Sequence, residues 1–116
     1  MNTLKQEEIH YRLLRILAQK PKMSQREMAS RVGISLGKIN FLISELTGKG
    51  LLKIKSFKNA RNKAAYAYIL TPNGLEEKTK LAIGFLQSKI TEYETLRGQI
   101  ADLTRELEEE RSAHGN

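Results

Sequence analysis

Two short apolar repeats separated by a glycine constrain the fold of this chain more than any other feature. Each repeat follows a serine, Ser24 or Ser35, and Gly33 stands between them. Serine is a favoured N-cap residue, and glycine accepts the left-handed backbone conformation in which many helices end. The pattern predicts two helices, over residues 25–32 and 36–48, that are joined by a tight turn.

A longer helix is predicted before this pair, over residues 4–19. Its apolar side chains recur at the spacing of one helix face. Pro21 ends it, because proline cannot continue the hydrogen-bonding pattern of a helix. Met23 is expected to reach the core from the connection to the next helix, and Ile34 is expected to do so from the glycine turn.

The spacing of apolar residues then changes from the period of a helix to the period of a strand. Apolar residues and lysines alternate over residues 51–57, which predicts a strand in which Leu52 and Ile54 alternate with Lys53 and Lys55. Residues 58–63 are polar and basic, and residues 65–70 are mostly apolar again. We therefore expect a β-hairpin whose tip carries positive charge.

A single long helix is predicted for the rest of the chain. Thr71 and Pro72 are of the residue types preferred at the N-cap and at the first helical position. No proline follows, so the helix is expected to continue to about residue 111, with residues 112–116 disordered. The predicted fold class is mainly α with a small β-hairpin, followed by a long C-terminal helix.

Charge divides the chain into a basic front and a mildly acidic tail. Residues 1–80 hold 16 Lys+Arg and six Asp+Glu, and residues 81–116 hold four and seven, for a net charge of +7. A strongly basic segment is typical of proteins that bind a polyanion such as nucleic acid. We therefore assign residues 1–74 to a binding domain and residues 75–116 to a separate C-terminal helix.

Composition excludes several classes of function. The chain has no Cys and two His, which excludes disulfide scaffolds, thiol catalysis and cysteine zinc sites, and nothing predicts a metal or a cofactor. There is no phosphate-binding glycine loop, and the serines that begin helices are better explained as caps than as nucleophiles, so we expect no enzyme and no catalytic residue. No apolar run is long enough to span a membrane, and a cytoplasmic protein is expected.

Helix, helix, glycine turn, helix and hairpin is the order of a winged helix-turn-helix. In that fold the helix predicted over residues 36–48 is the recognition helix, which lies in the major groove of DNA. The candidate DNA contacts are the residues outside its apolar face: Ser35, Gly37, Lys38, Asn40, Phe41 and Ser44. Lysine can bond guanine, asparagine can bond adenine twice, and an apolar ring can contact the methyl group of thymine. Phe41 could equally pack against the first helix or the hairpin.

The hairpin, residues 51–70, would be the wing of this fold. Its basic residues are candidates for contacts to the phosphate backbone or the minor groove: Lys53, Lys55, Lys58, Arg61 and Lys63. No acidic residue lies between Glu45 and Glu76. Lysines on an exposed strand can also prevent edge-to-edge aggregation, and the two explanations are compatible. Arg26 and Arg31 are secondary candidates for phosphate contacts.

Apolar residues in the second half of the long helix repeat every seven residues, as in a coiled coil. The repeat predicts a homodimer that pairs through Leu86, Ile90, Tyr93, Leu96, Ile100, Leu103 and Leu107, and Lys89 interrupts it. In a parallel pair Glu92 would face Arg97 of the second chain. Glu106 would face Arg111 in the same way, whereas an antiparallel pair would tend to match glutamate with glutamate. The charges therefore favour a parallel pair.

Several runs of residues resemble winged-helix transcriptional regulators of the MarR type. They are the helix-turn-helix itself, the exit LTGKGLL at residues 46–52 and the return ILTPNG at residues 69–74. The runs GISLGKINF at residues 33–41 and AYAYILTP at residues 65–72 resemble a small subgroup associated with exopolysaccharide biosynthesis. The resemblance covers about residues 8–105 and implies a bacterial regulator that binds double-stranded DNA as a dimer.

The chain departs from MarR-type regulators in two respects. Their wing carries an Asp-x-Arg pair, whereas the matching positions here are Asn62 and Ala64, so Arg61 or Lys63 would have to supply that contact. Typical members also have a longer N-terminal dimerisation helix with a ligand pocket beside it. The sequence predicts neither, and no small-molecule effector is assigned.

Two other functions are compatible with the same fold. A winged helix can serve as a protein–protein interaction module, and plasmid partition or replication proteins also use it to bind DNA. The basic wing, together with Lys38 and Asn40, favours DNA over a protein partner. Steep weakening of binding with rising salt would separate DNA contacts from protein contacts.

Overall fold

The computed structural model describes residues 3–58 and 64–115, with the side chains of residues 5–57 and 65–115. Within these residues the elements follow in the order α1 (Thr3–Gln19), α2 (Gln25–Val32), α3 (Leu36–Gly48), β1 (Leu52–Lys58), β2 (Ala64–Leu70) and α4 (Pro72–Gly115). The chain is mostly helical and its two strands form one antiparallel hairpin, which confirms the predicted fold class. Arg61 and Lys63 lie outside the described residues, and only the backbone of Lys58 is described.

Local side-chain caps set the bounds of α2 and α3, which match the predicted bounds. The Oγ atom of Ser24 accepts a hydrogen bond from the N–H of Glu27, and the Oγ of Ser35 accepts one from the N–H of Lys38, both at 3.1 Å. Gly33 ends α2 with a φ of 83°, a conformation that costs a residue with a Cβ about 1–2 kcal/mol. These interactions are local, so the sequence pattern is sufficient to locate both helices.

The chain divides into two compact units, Met1–Ala82 and Ile83–Asn116. The first unit contains the hydrophobic core, to which α1, α2, α3, both strands and the connection after α1 contribute. Its buried members are Leu13, Leu14, Leu17, Met23, Met28, Val32, Ile39, Ile43, Leu46, Leu52 and Tyr68. Each large aliphatic side chain contributes about 1.5–3 kcal/mol on burial. Met23 is buried, and Ile34 packs against the core from the glycine turn, as predicted.

The hairpin pairs Leu52 with Leu70 and Ile54 with Tyr68. Residues directly opposite each other lie on the same face of a hairpin, so Ile54 shares the face of the buried Tyr68, as the alternation predicts. Leu52 is buried on that face, but Ile54 is 42% exposed. The reason lies in the order of the segments. The N–H of Tyr68 donates a hydrogen bond of 2.7 Å to the carbonyl oxygen of Pro21, so β2 lies between that segment and β1. The outer strand, β1, is therefore covered by the core only near its start.

Thr71 holds the first turn of α4, which confirms the predicted cap. Its Oγ1 accepts a hydrogen bond from the N–H of Gly74 at 3.0 Å and donates one to the carbonyl oxygen of Gly50 at 2.6 Å. The N–H of Thr71 also donates to the carbonyl oxygen of Leu51 at 3.1 Å. One residue thus caps α4 and ties its start to the segment between α3 and β1.

The far end of α4 differs from the prediction. The helix ends at Gly115, whereas the sequence pattern predicts an end near residue 111 and disorder after it. That prediction was wrong for residues 112–115, because no proline or glycine precedes Gly115 in this segment to break the helix. In the described part of the chain no helix combines the length and the apolar character needed to cross a membrane.

Candidate nucleic-acid interface

The outer side of α3 and its cap carry the residues predicted to contact DNA. Ile39, Ile43 and Leu46 are buried on the inner side of the helix. The helical period turns the remaining positions outward, and the exposed residues include Ser35, Gly37, Lys38, Asn40, Phe41 and Ser44. We call these six residues the α3 face. The structure therefore brings together every predicted contact on the recognition helix.

The first turn of α3 is open and positively polarised. Ser35 uses its hydroxyl oxygen to cap the helix, and the backbone N–H groups of a first helical turn carry partial positive charge. A Cβ added at Gly37 would find only the Oγ of Ser35, 4.0 Å away, so the backbone can be approached closely from outside. Lys38 adds a full positive charge at an exposed position. This turn is suited to an anionic ligand.

Hydrogen bonds tie Asn40 to two other elements. Its Nδ2 donates to the Oε1 of Gln25, at the start of α2, over 3.3 Å. The Nε2 of Gln25 in turn donates to the hydroxyl of Tyr68, on β2, over 3.2 Å. An asparagine amide has two N–H donors and a carbonyl oxygen with two lone pairs. Asn40 therefore keeps one N–H and its carbonyl oxygen for a ligand.

Phe41 lies outside the hydrophobic core, and 66% of its surface is exposed. With Ile9, His10 and Glu45 it lines an open groove of about 710 Å³ between α1 and α3. The Nε2 of His10 lies 3.8 Å from the Oε1 of Glu45 across this groove. Packing within the domain thus leaves most of the Phe41 ring accessible, and its contact with DNA stays a prediction.

The described part of the wing is basic along its outer strand. Lys53 and Lys55 are exposed on β1, and no acidic residue lies anywhere in the hairpin. Nearer the tip, the Nζ of Lys22 lies 4.7 Å from the ring centre of Phe57, within the range of a cation–π interaction. This contact joins the segment before α2 to the wing and adds a further cation beside it.

The two secondary candidates on α2 differ in their surroundings. Arg31 forms an ion pair with Glu27, with 2.9 Å between Nη2 and Oε2. Arg26 is exposed near the start of α2, where with Lys22 and Tyr66 it lines an open groove between α2 and β2. Because the charge of Arg31 is balanced by a neighbouring carboxylate, Arg26 is the better placed of the two for a phosphate.

The predicted dimerisation residues belong to the second unit and are all exposed, between 52% and 66%. They are Leu86, Ile90, Tyr93, Leu96, Ile100, Leu103 and Leu107. Lys89, which interrupts the repeat, has its Nζ 3.2 Å from the Oε2 of Glu92 and 5.3 Å from the ring centre of Phe85. Its charge is thus engaged by neighbours on the same helix. Pairing with a second chain stays a prediction.

The sequence pattern missed Gln25, which contacts the α3 face through Asn40. Its hydrogen-bond partners are 15 and 43 residues away along the chain. Patterns of cap, period and charge link residues within a few positions of each other and carry no signal at such separations. Gln25 can therefore be found only once α2, α3 and β2 are packed together.

One family model matches the first three helices and the start of the hairpin. Residues 6–53 match the model described as winged helix-turn-helix DNA-binding. The match covers the α3 face and Gln25, and it ends within β1. No curated protein sequence matches the chain significantly.

Solved structures of low identity share the fold. The PcaV transcriptional regulator from Streptomyces coelicolor, with its natural ligand, is 20% identical over 92% of this chain and 74% of that one (TM-score 0.63). A PadR-like transcriptional regulator from Bacillus cereus is 16% identical over 82% of this chain and 97% of its own (TM-score 0.72). A MarR family protein from Mycobacterium tuberculosis, in complex with p-aminosalicylic acid, is 19% identical over 87% of this chain and 75% of its own (TM-score 0.60). The chain thus has a winged helix-turn-helix fold, which it shares with a PadR-like transcriptional regulator and a MarR family protein.

Proposed function

We propose that this protein is a sequence-specific, double-stranded DNA-binding transcriptional regulator that acts as a homodimer. The observation that carries the proposal is the α3 face, which exposes Lys38 and Asn40 on a capped helix next to a wing without acidic residues. Such a surface combines hydrogen-bonding groups for base edges with positive charge for the DNA backbone. The fold shared with known regulators supports the same conclusion.

Base recognition would be the task of the α3 face. Lys38 can donate to the acceptors of guanine, and Asn40 can exchange two hydrogen bonds with adenine. The exposed ring of Phe41 can contact the methyl group of thymine. Gly37 would let the helix backbone approach the groove, because nothing projects from it. Ser35 and Ser44 offer hydroxyl groups at the two ends of this surface.

The wing would bind the DNA without regard to sequence. Lys53 and Lys55 are exposed on β1, and Lys58, Arg61 and Lys63 follow them along the chain. Positive side chains on a hairpin suit the phosphate backbone or the narrow minor groove. Each phosphate contact releases a counterion, so the affinity of these contacts falls as salt rises.

A second copy of this chain would cover the apolar repeat of the second unit. Seven large apolar residues recur there in heptad positions and are exposed in the single chain. In a parallel pair Glu92 would face Arg97 of the other copy, and Glu106 would face Arg111. This charge complementarity selects a like chain in register, while burial of the apolar seam supplies most of the free energy. A symmetric dimer of this kind would recognise two half-sites of a palindromic operator.

A resemblance in two runs of sequence suggests which genes the protein regulates. The runs GISLGKINF at residues 33–41 and AYAYILTP at residues 65–72 resemble regulators associated with exopolysaccharide loci. We therefore propose exopolysaccharide genes as targets and the cytoplasm, where bacterial DNA lies, as the place of action. Plasmid partition or replication would use the same DNA contacts, and the position of the bound sites in a genome would separate the two functions.

The test is selection of binding sites from a random DNA duplex pool with the full chain. We expect an enriched sequence that binds about 10³-fold or more tightly than a scrambled duplex. Asn40→Ala should lower that ratio about tenfold for each half-site, about 100-fold for the dimer, because it removes two hydrogen bonds to one base in each half-site. Asn73→Ala, which changes an exposed asparagine on α4, is the matched control and should leave the ratio unchanged.

Two results would contradict the proposal. One is a pool without any enriched sequence, which would indicate binding without base recognition. The other is binding that does not weaken between about 50 and 200 mM salt, where contacts to several phosphates lose orders of magnitude in affinity. Insensitivity to salt combined with weak DNA binding is the result expected of a protein–protein interaction module.

A further inference from the structure

Side chains from three different elements are linked by two consecutive hydrogen bonds. Asn40 on α3 donates to Gln25 on α2, and Gln25 donates to the hydroxyl of Tyr68 on β2, over 3.3 and 3.2 Å. These hydrogen bonds connect β2 of the wing, through α2, to the outer side of the recognition helix α3. The sequence pattern assigned a role only to Asn40.

Tyr68, at the inner end of these hydrogen bonds, is held by the core. Only 6% of Tyr68 is exposed, and its N–H donates to the carbonyl oxygen of Pro21 at 2.7 Å. Both its ring and its backbone are therefore held in place. Gln25 is half-buried beside it, and Asn40 is exposed. The buried Tyr68 therefore restricts Gln25, and Gln25 restricts the side-chain amide of Asn40 on the α3 face.

The hydrogen bond from Asn40 to Gln25 leaves free the groups that adenine needs. An asparagine amide has two N–H donors, and Gln25 accepts from one of them. Recognition of adenine uses one amide N–H, toward N7, and the amide oxygen, which accepts from the N6 amino group. The bond to Gln25 also restricts rotation of the amide, because rotation by half a turn would set the Asn40 oxygen against the Gln25 oxygen.

We propose that Gln25 is a positioning residue for base recognition, and that Tyr68 holds Gln25 in place. Gln25 itself touches no base. It fixes the Asn40 amide with one N–H and the oxygen directed outward, so that the site prefers an adenine–thymine pair at the position Asn40 contacts. This inference rests on the proposed function, since it requires that Asn40 contacts DNA.

The central test compares Gln25→Met with the unchanged full chain. Methionine has nearly the shape of glutamine and the same tolerance of a helix, but it makes neither hydrogen bond. Each base pair of the selected operator is replaced in turn, and the dissociation constant of every duplex is measured. The adenine preference is the dissociation constant with another base pair divided by that with adenine–thymine, at the position that Asn40→Ala affects. We expect Gln25→Met to lower this preference about three- to tenfold, the size of effect that ordering one polar side chain has on binding. Preferences at other positions should not change.

Tyr68→Phe removes the hydroxyl that holds Gln25 and keeps the buried ring. We expect it to lower the preference at the same position and by a smaller factor, with the thermal unfolding curve recording that the domain stays folded. Gln25→Glu should retain the preference, because a carboxylate can accept from both Asn40 and the Tyr68 hydroxyl. Its added negative charge should weaken binding to every duplex alike.

The double variant Gln25→Met/Asn40→Ala separates positioning from direct contact. We expect the double variant to have the same base preference as Asn40→Ala alone, because Gln25 acts through Asn40. A further loss in that background would show that Gln25 contacts DNA itself and would overturn the proposal, as would an unaltered preference in Gln25→Met. If Asn40→Ala leaves all base preferences intact, the base contact within the proposed function fails, and that result is distinct from either of these.

Discussion

Gly74 packs directly against the backbone carbonyl of Leu51. A Cβ on residue 74 would overlap the Leu51 oxygen and would also approach the Cβ of Leu70 to 3.4 Å. Backbone atoms cannot move aside as a flexible side chain can. The first turn of α4 and the segment that enters the wing therefore fit together only because residue 74 has no side chain.

This relationship predicts a large cost for Gly74→Ala. Although alanine is the better helix former, we expect the free energy of unfolding to fall by about 1–3 kcal/mol, because the added methyl displaces backbone. Urea denaturation of the full chain measures it. Gly84→Ala is the matched control, since a Cβ there meets nothing within 4 Å, and it should raise stability by up to about 1 kcal/mol. Equal effects at the two positions would contradict the close fit.

The hydroxyl of Thr47 predicts a stabilising substitution. Its Oγ1 is buried near the end of α3 and has no hydrogen-bond partner among the described residues. A buried, unpaired hydroxyl loses its bonds to water without replacement. Thr47→Val keeps the shape and should raise the free energy of unfolding by about 1 kcal/mol in the same assay. Thr79→Val, which removes a hydroxyl bonded to the carbonyl of Leu75, should bring no such gain.

Substitution at Gly37 should separate stability from DNA binding. The position is helical, exposed and uncrowded, so Gly37→Ala should raise the free energy of unfolding by up to about 1 kcal/mol. The new methyl would project from the α3 face toward the DNA, and we expect affinity for the selected operator to fall about tenfold, a loss of about 1.4 kcal/mol. Gly48→Ala, at the other end of α3, should leave affinity unchanged. Unchanged affinity in Gly37→Ala would mean that the α3 backbone does not approach the groove.

Wing charges should control the salt dependence of binding. Lys53→Ala and Lys55→Ala would each remove one phosphate contact from both copies in the proposed dimer. Each should therefore reduce the slope of log affinity against log salt by about 1.8 and weaken specific and scrambled duplexes equally. Arg61→Ala and Lys63→Ala should do the same, because these residues belong to the same basic stretch of sequence. Lys80→Ala, which removes one charge from α4, is the control and should leave the slope unaltered. A loss confined to the specific duplex would instead place the wing on base edges.

The apolar repeat of the second unit should determine the oligomeric state. Leu96→Glu with Leu103→Glu places charge in the seam, and light scattering should then report a monomer with weakened operator binding. Both side chains are exposed in the single chain, so the first unit should stay folded. Thr95→Glu with Ala101→Glu adds the same charge outside the seam and should leave a dimer. A doubly substituted seam that still dimerises would show that the chains pair elsewhere.

Short-range patterns were sufficient for the helix-turn-helix. The serine caps of α2 and α3, the left-handed glycine and the alternation of buried and exposed positions on α3 all depend on residues within about one helical turn. Such interactions operate in any tertiary context. The fold class and the α3 face could therefore be predicted from the sequence, and the structure has both.

Tertiary packing decided what short-range patterns could not. Ile54 is alternately spaced like Leu52, yet it is exposed because β1 is the outer strand of the hairpin. The contact of Gly74 with Leu51 depends on how the start of α4 meets the exit of α3. Gln25 meets Asn40 and Tyr68 only when α2, α3 and β2 are assembled. The sequence by itself determined which surface of α3 is exposed, because capping and periodicity are local. Only the tertiary structure decided which side chains are held in place on that surface, because their partners are distant along the chain.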